Sequence, residues 1–137
     1  MSGASKPLAR SADACPCGTS KAYEACCGRY HAGPLQLQAP DAEALMRSRY
    51  SAFVRGLHDY LLATWHAGTR PGRLEPVPPG LKWLGLEVRR CVQQDADHAI
   101  VEFVARSKSG GRAQRLHETS RFVREVGRWF YVDGEIH

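Results

Sequence analysis

Four of the chain's five cysteines fall within thirteen residues, as Cys15-Pro16-Cys17 and, after eight intervening residues, Cys26-Cys27. This cluster constrains the fold more than any other feature. Adjacent cysteines make a strained pair for a disulfide, and residues 1–13 hold small side chains and two positive charges but no apolar run of the kind a secretory signal needs. In a reducing compartment, clustered thiols serve as metal ligands or redox groups. The first pair is spaced C-x-C rather than the C-x-x-C of redox dithiols, which favours a metal. Zinc takes four soft donors in a tetrahedron with Zn–S bonds of about 2.3 Å, and two neighbouring turns can supply them. One is a tight loop permitted by Gly18; the other is the end of a short helix expected to begin near Thr19-Ser20 and to stop at Gly28. Tyr23 is placed to cover the site. Four thiolates on a dication leave a charge near −2, which Lys21 and Arg29 are expected to offset, and His31 is an alternative ligand to one cysteine. A full set of four protein ligands leaves no position for substrate, so the zinc is read as structural.

The remainder of the chain divides by pattern. Residues 1–14 read as a flexible leader, 15–31 as the cysteine knuckle, 32–40 as a linker with a proline near each end, and 41–137 as one compact domain. Asp41 is suited to cap a helix, and Met46, Tyr50, Phe53, Val54 and Leu57 recur at helical spacing after it. A second short helix is expected over 59–64. Four strand-like runs follow, at 82–93, 98–108, 112–125 and 128–133, joined by short turn-like links at 94–97, 109–111 and 126–127. Helices followed by an antiparallel meander predict an α+β fold, with the helices packed on one face of a curved antiparallel sheet.

Charge and hydropathy narrow the function classes. Hydrophobic residues form 43% of the chain and charged residues 24%, the mix of a globular protein. No stretch approaches the roughly 20 apolar residues of a membrane helix. The net charge of +5 comes largely from arginines scattered along the chain, so direct nucleic-acid binding is a minor reading. No nucleotide loop, nucleophile elbow or catalytic-metal motif occurs, and the chain is read as more a binding protein than an enzyme.

One residue of the compact domain stands out. Arg49 lies three residues after Met46 and four before Phe53, on the apolar face of the first helix. A guanidinium turned inward must be paired or must line a wet cavity. The preferred reading is a buried ion pair with Glu102, Glu118 or Asp133; the sharper one is an open cone pocket holding a small anion. Trp65, Trp83 and Trp129 are candidate walls for such a pocket, and His66 a candidate base or loop anchor. Glu118, Ser120 and Phe122 are expected on one strand face, with His117, Thr119 and Arg121 on the other. Cys91 is expected to be a buried small hydrophobe.

The segment CPCGTSKAYEACCG resembles the SEC-C motif, best known from the tail of the bacterial protein-export motor. The resemblance implies zinc on Cys15, Cys17, Cys26 and Cys27, and docking to the ribosome or protein-export components through a face around Lys21 and Arg29. LMRSRYSAF at 45–53, TWH at 64–66, WLGLEV at 83–88 and HETSRF…GRWFYVDG within 117–134 resemble the YchJ family of bacterial proteins. That family is similar in fold to nuclear transport factor 2, a cone of helices against a strongly curved sheet. The resemblance implies a cytoplasmic interaction protein with a structural zinc. The alternative is a small-ligand binder or enzyme using the cone pocket, and a homodimer is left open.

Overall fold

The computed structural model describes residues 13–137; of the leader expected at 1–14, residues 1–12 lie outside them. A 3-10 turn at Tyr23–Ala25 leads into the single-turn helix α1 (Gly28–His31), followed by α2 (Ala42–Arg55) and α3 (His58–Ala63). Strands β1 (Lys82–Asp95), β2 (His98–Ser109), β3 (Arg112–Glu125) and β4 (Arg128–Ile136) then form one antiparallel sheet in sequence order. This is the expected α+β meander. No helix among the described residues is long and apolar enough to cross a membrane.

Helix α2 is the axis of the molecule. Asp41 caps it, its carboxylate accepting from the Ala44 N–H at 2.7 Å, and Gly56 ends it in the left-handed conformation. Two faces of α2 are buried, and they face different things. Met46, Arg49 and Tyr50 line a cavity whose far wall is the sheet. Ser48 and Ser51, both fully buried, meet the cysteine knuckle and α3 instead. Residues 32–40 therefore do not hold the two halves apart: Cys15, Cys17, Cys26 and Cys27 belong to the same buried cluster as Leu45, Leu61 and Val101.

Two features of the sheet decide where side chains point. The β3–β4 register slips between Arg121 and Phe122, so Phe122 pairs with Tyr131 while Arg121 pairs with Asp133. The extra residue puts Tyr131 beside the cavity and Asp133 on the opposite face with Arg121, although strict alternation would give them one face. Strand β1, at the sheet edge, slips three times. Cys91 accordingly is exposed rather than buried as a residue, with its sulfur 3.5 Å from Glu43 Oε1; partial desolvation of that sulfur, and then the carboxylate beside it, push its pKa up to about 11.

Beyond α3 the chain runs alongside β4. The His66 N–H donates to Tyr131 O at 2.7 Å and the Tyr131 N–H to Thr64 O at 2.9 Å. This short parallel bridge fixes Trp65 against Tyr131, and so builds one end of the cavity.

Candidate metal centre and cone cavity

The four clustered cysteines are 0–6% exposed, and their sulfurs all lie within 4.8 Å of one another. A tetrahedral four-sulfur site with bonds of about 2.3 Å has sulfur–sulfur edges of about 3.8 Å, and Cys17 Sγ and Cys26 Sγ are 3.6 Å apart. The donor set fits a metal ion on chemical grounds as well. Hydrogen bonds from Cys17 and Cys27 pull the Cys15 thiol far down, while those to Cys15 and Cys17 push Cys27 up. Sulfurs this close ionise together only around a cation.

Groups outside the cysteines complete the site. The Thr19 hydroxyl lies 3.1 Å from Cys26 Sγ and the Ser51 hydroxyl 3.4 Å from Cys15 Sγ, so one polar contact comes from the knuckle and one from α2. Arg29 Nε donates to Cys26 O at 2.9 Å, and Arg47 Nη1 donates to Cys17 O at 2.8 Å. Arg29 thus stands near the cysteines as expected. Lys21 is exposed, its backbone carbonyl accepting from the Cys15 N–H at 2.9 Å. Arg47 and Ser51 were missed from the sequence, since no spacing rule ties a helix 30 residues away to a knuckle.

Two local expectations are corrected. Gly28 opens α1 instead of closing a helix, and a β-carbon there would meet Tyr23 O at 2.8 Å and Tyr23 Cε2 at 2.9 Å; the glycine lets the Tyr23 ring lie flat on the chain. His31 sits apart from the sulfur cluster, as a bridge. Its Nε2–H donates to Ser48 O at 2.8 Å, which leaves Nδ1 to accept from the Tyr23 hydroxyl. Burial lowers the pKa of this histidine, in keeping with a neutral ring holding the knuckle to α2.

On the opposite side of α2 lies a cavity of about 310 Å³. Arg49, Trp65, Trp83 and Glu118 line it, together with Tyr50 and Phe103 among other aromatic walls. Tyr50 and Trp83 meet edge-to-face with ring centroids 5.6 Å apart, and Phe53, partly exposed, stands at 6.0 Å from Trp83. Leu116, Glu118, Ser120 and Phe122 share this face of β3, as the alternation predicts.

Arg49 is 6% exposed, and the ion pair preferred from the sequence is absent: among the described residues no carboxylate lies within 4.0 Å of it. Its hydrogen bonds both leave from Nη1, to Leu61 O at 2.8 Å and Thr64 Oγ1 at 2.7 Å, at the end of α3. The guanidinium lies 4.6 Å from the Tyr131 ring centre and 5.3 Å from that of Trp65. Burial lowers its pKa to about 10, with Tyr131, Tyr60 and Glu118 acting weakly the other way. The Trp65 Nε1–H is buried without a partner among the described residues. Across the cavity, Glu118 Oε2 accepts from the Ser120 hydroxyl at 2.7 Å and from the Tyr131 hydroxyl at 3.4 Å.

The other candidates lie elsewhere. Glu102 pairs with His117 Nε2 at 2.7 Å, and Asp133 with Arg121. His66 Nε2 turns to Glu125 at 2.9 Å, and Trp129 is buried in the core without lining the cavity. No histidine therefore joins Arg49 and Glu118.

Known proteins align with both parts of this arrangement. Residues 12–29 match the model of the SEC-C motif, and residues 41–134 match that of the YchJ middle domain, described as NTF2-like. A UPF0225 protein of Bordetella parapertussis is 65% identical over 123 residues, spanning 90% of this chain and 92% of the relative. The solution structure of a SEC-C motif containing protein from Rhodopseudomonas palustris superposes with a TM-score of 0.76 at 32% identity, covering 88% of this chain and 96% of that one. A crystal structure of a SEC-C motif containing protein from Psychrobacter arcticus gives 0.74 at 29% identity, covering 94% and 85%.

Proposed function

Because the chain belongs to the YchJ family, in which a SEC-C motif precedes an NTF2-like domain, we propose that it is a cytoplasmic small-ligand binding protein whose cone is backed, across α2, by a structural zinc knuckle. The single observation that carries the ligand reading is Arg49, a buried cation lining a cavity of about 310 Å³ with no carboxylate in ion-pair range. Such a group is costly to the fold alone, and its cost is offset when a ligand supplies the missing partner. Zinc on Cys15, Cys17, Cys26 and Cys27 supplies no chemistry here. The four sulfurs fill its coordination, and their burial against α2 makes it a staple.

Docking of the knuckle on ribosomal or export components is the other reading, and it rests on Lys21 and Arg29. Those two cations and Arg47 share their groove with Asp41 and Glu43, and Arg47 is paired with Glu43, so the face is of mixed sign and gives an acidic partner little to recognise. The cone therefore ranks first.

The test is the thermal stability of Arg49→Met in the full-length zinc-loaded protein without added ligand. The substitution removes a buried charge that has no carboxylate partner, together with its two hydrogen bonds to the end of α3, and the melting temperature is expected to hold or rise. A lowered melting temperature would assign Arg49 to the fold and remove the main support for a ligand.

A further inference from the structure

The cavity holds two opposite charges that do not meet. Arg49 and Glu118 line the same walls, and neither contributes an ion pair to the other within 4.0 Å among the described residues. Each is instead held in place by neighbours of its own. Arg49 spends Nη1 on Leu61 O and Thr64 Oγ1, leaving Nε and Nη2 as donors. Glu118 spends Oε2 on Ser120 and Tyr131, leaving Oε1 as acceptor. Tyr131 stands between them, its ring under the guanidinium and its hydroxyl on the carboxylate. The Trp65 Nε1–H, beside Arg49, is buried without a partner among the described residues.

An occupant must satisfy this pattern without leaving a new charge in an apolar chamber. A simple anion would neutralise Arg49 and leave Glu118 unanswered; a simple cation would do the reverse. A dianion such as a phosphate ester would leave excess negative charge beside Glu118. Opposite charges on one small head group answer both residues and sum to zero. The other walls include Met46, Phe53, Trp83, Phe103 and Leu116, which ask for an apolar body. The volume of about 310 Å³ is at the small end of ligand pockets, which run from about 300 to 1,000 Å³.

Resting on the reading of the cone as a ligand site, we propose that the ligand is a small zwitterion with an apolar or aromatic side chain, of the α-amino acid class. Its carboxylate is held by Arg49 through Nε and Nη2, its ammonium by Glu118, and its side chain by the aromatic walls, Trp65 among them. Ser120, Tyr131 and Gly134 act as positioning residues for Glu118. At Gly134 a β-carbon would collide with Glu118 Oε2, so the carboxylate occupies the space that a side chain would fill.

The experiment is equilibrium binding to the full-length zinc-loaded protein, read by ligand-observed NMR and calorimetry, with three probes built on one skeleton. They are L-phenylalanine, 3-phenylpropanoate, which lacks the ammonium, and 2-phenylethylamine, which lacks the carboxylate. Phenylalanine is expected to bind at least about tenfold tighter than either, since each charged contact is worth roughly a factor of ten or more. Arg49→Met should erase its advantage over 2-phenylethylamine, and Glu118→Gln its advantage over 3-phenylpropanoate. If one truncated probe binds as tightly as phenylalanine, the zwitterion assignment is overturned while the ligand reading of the cone stands. If no probe binds while circular dichroism shows the native fold, both are overturned.

Discussion

The knuckle and the cone lie on opposite sides of one helix, and they treat their polar groups in opposite ways. In the knuckle the buried polar side chains are answered by the knuckle itself or by α2. The sulfurs face each other, Thr19 and Ser51 face the sulfurs, and His31 joins Tyr23 to Ser48. In the cone, Arg49 keeps donors to spare and the Trp65 indole N–H has no partner. Closed polar networks hold a structure together, while open ones in an otherwise apolar chamber mark where something else is expected. The contrast supports the proposal that the cysteines serve architecture and Arg49 with Glu118 recognition.

The largest effect should come from opening the closed side. Stripping the metal with a chelator, or replacing Cys27 by serine, removes a term on the order of 10 kcal/mol from the knuckle. Because Cys15 and His31 contact α2 directly, the loss should reach the sheet and lower the melting temperature of the whole chain by more than about 10 °C. A melt of the cone unaffected by chelator would show that the knuckle is an appendage after all.

A smaller effect is expected from Gly28→Ala. The added methyl meets a backbone oxygen and a ring, neither of which gives easily, so the substitution should cost about 1–3 kcal/mol in chemical denaturation and slow the return of bound zinc. Wild-type stability in that variant would mean that Tyr23 can leave its seat without consequence.

The smallest effect sharpens the open side. Gly134→Ala collides with the end of a flexible glutamate rather than with backbone, so it should cost only about 1 kcal/mol. Combined with Glu118→Ala the cost should vanish, giving a coupling of about that size in a double-mutant cycle. Additive costs would show that the carboxylate does not rest on Gly134.

These contrasts bear on how much could be read in advance. The cysteine cluster was legible because metal ligands are set by residue type and short spacing. The meander was legible because four runs are separated by turn residues. The cone's polar geometry was not. Arg49 found backbone and hydroxyl acceptors at the end of α3, and no pattern marks a carbonyl as available. Asp133 left the cavity because one extra residue on β4, Val132 between the partners of Arg121 and Phe122, reverses faces, and Cys91 came to the surface on an edge strand that slips repeatedly. Periodicity locates strands well, but the side on which a residue emerges depends on bulges that tertiary packing selects.

The contact between Glu118 and Gly134 has a historical side. A lineage that gains a methyl at 134 while glutamate remains at 118 displaces a carboxylate held by two hydroxyls. One that first loses the glutamate frees the space and removes the reason to keep glycine. The second order is open to gradual change and the first is resisted. Once an alanine has settled at 134, a returning carboxylate must give up its present seat, so descent runs somewhat more easily out of this arrangement than back into it.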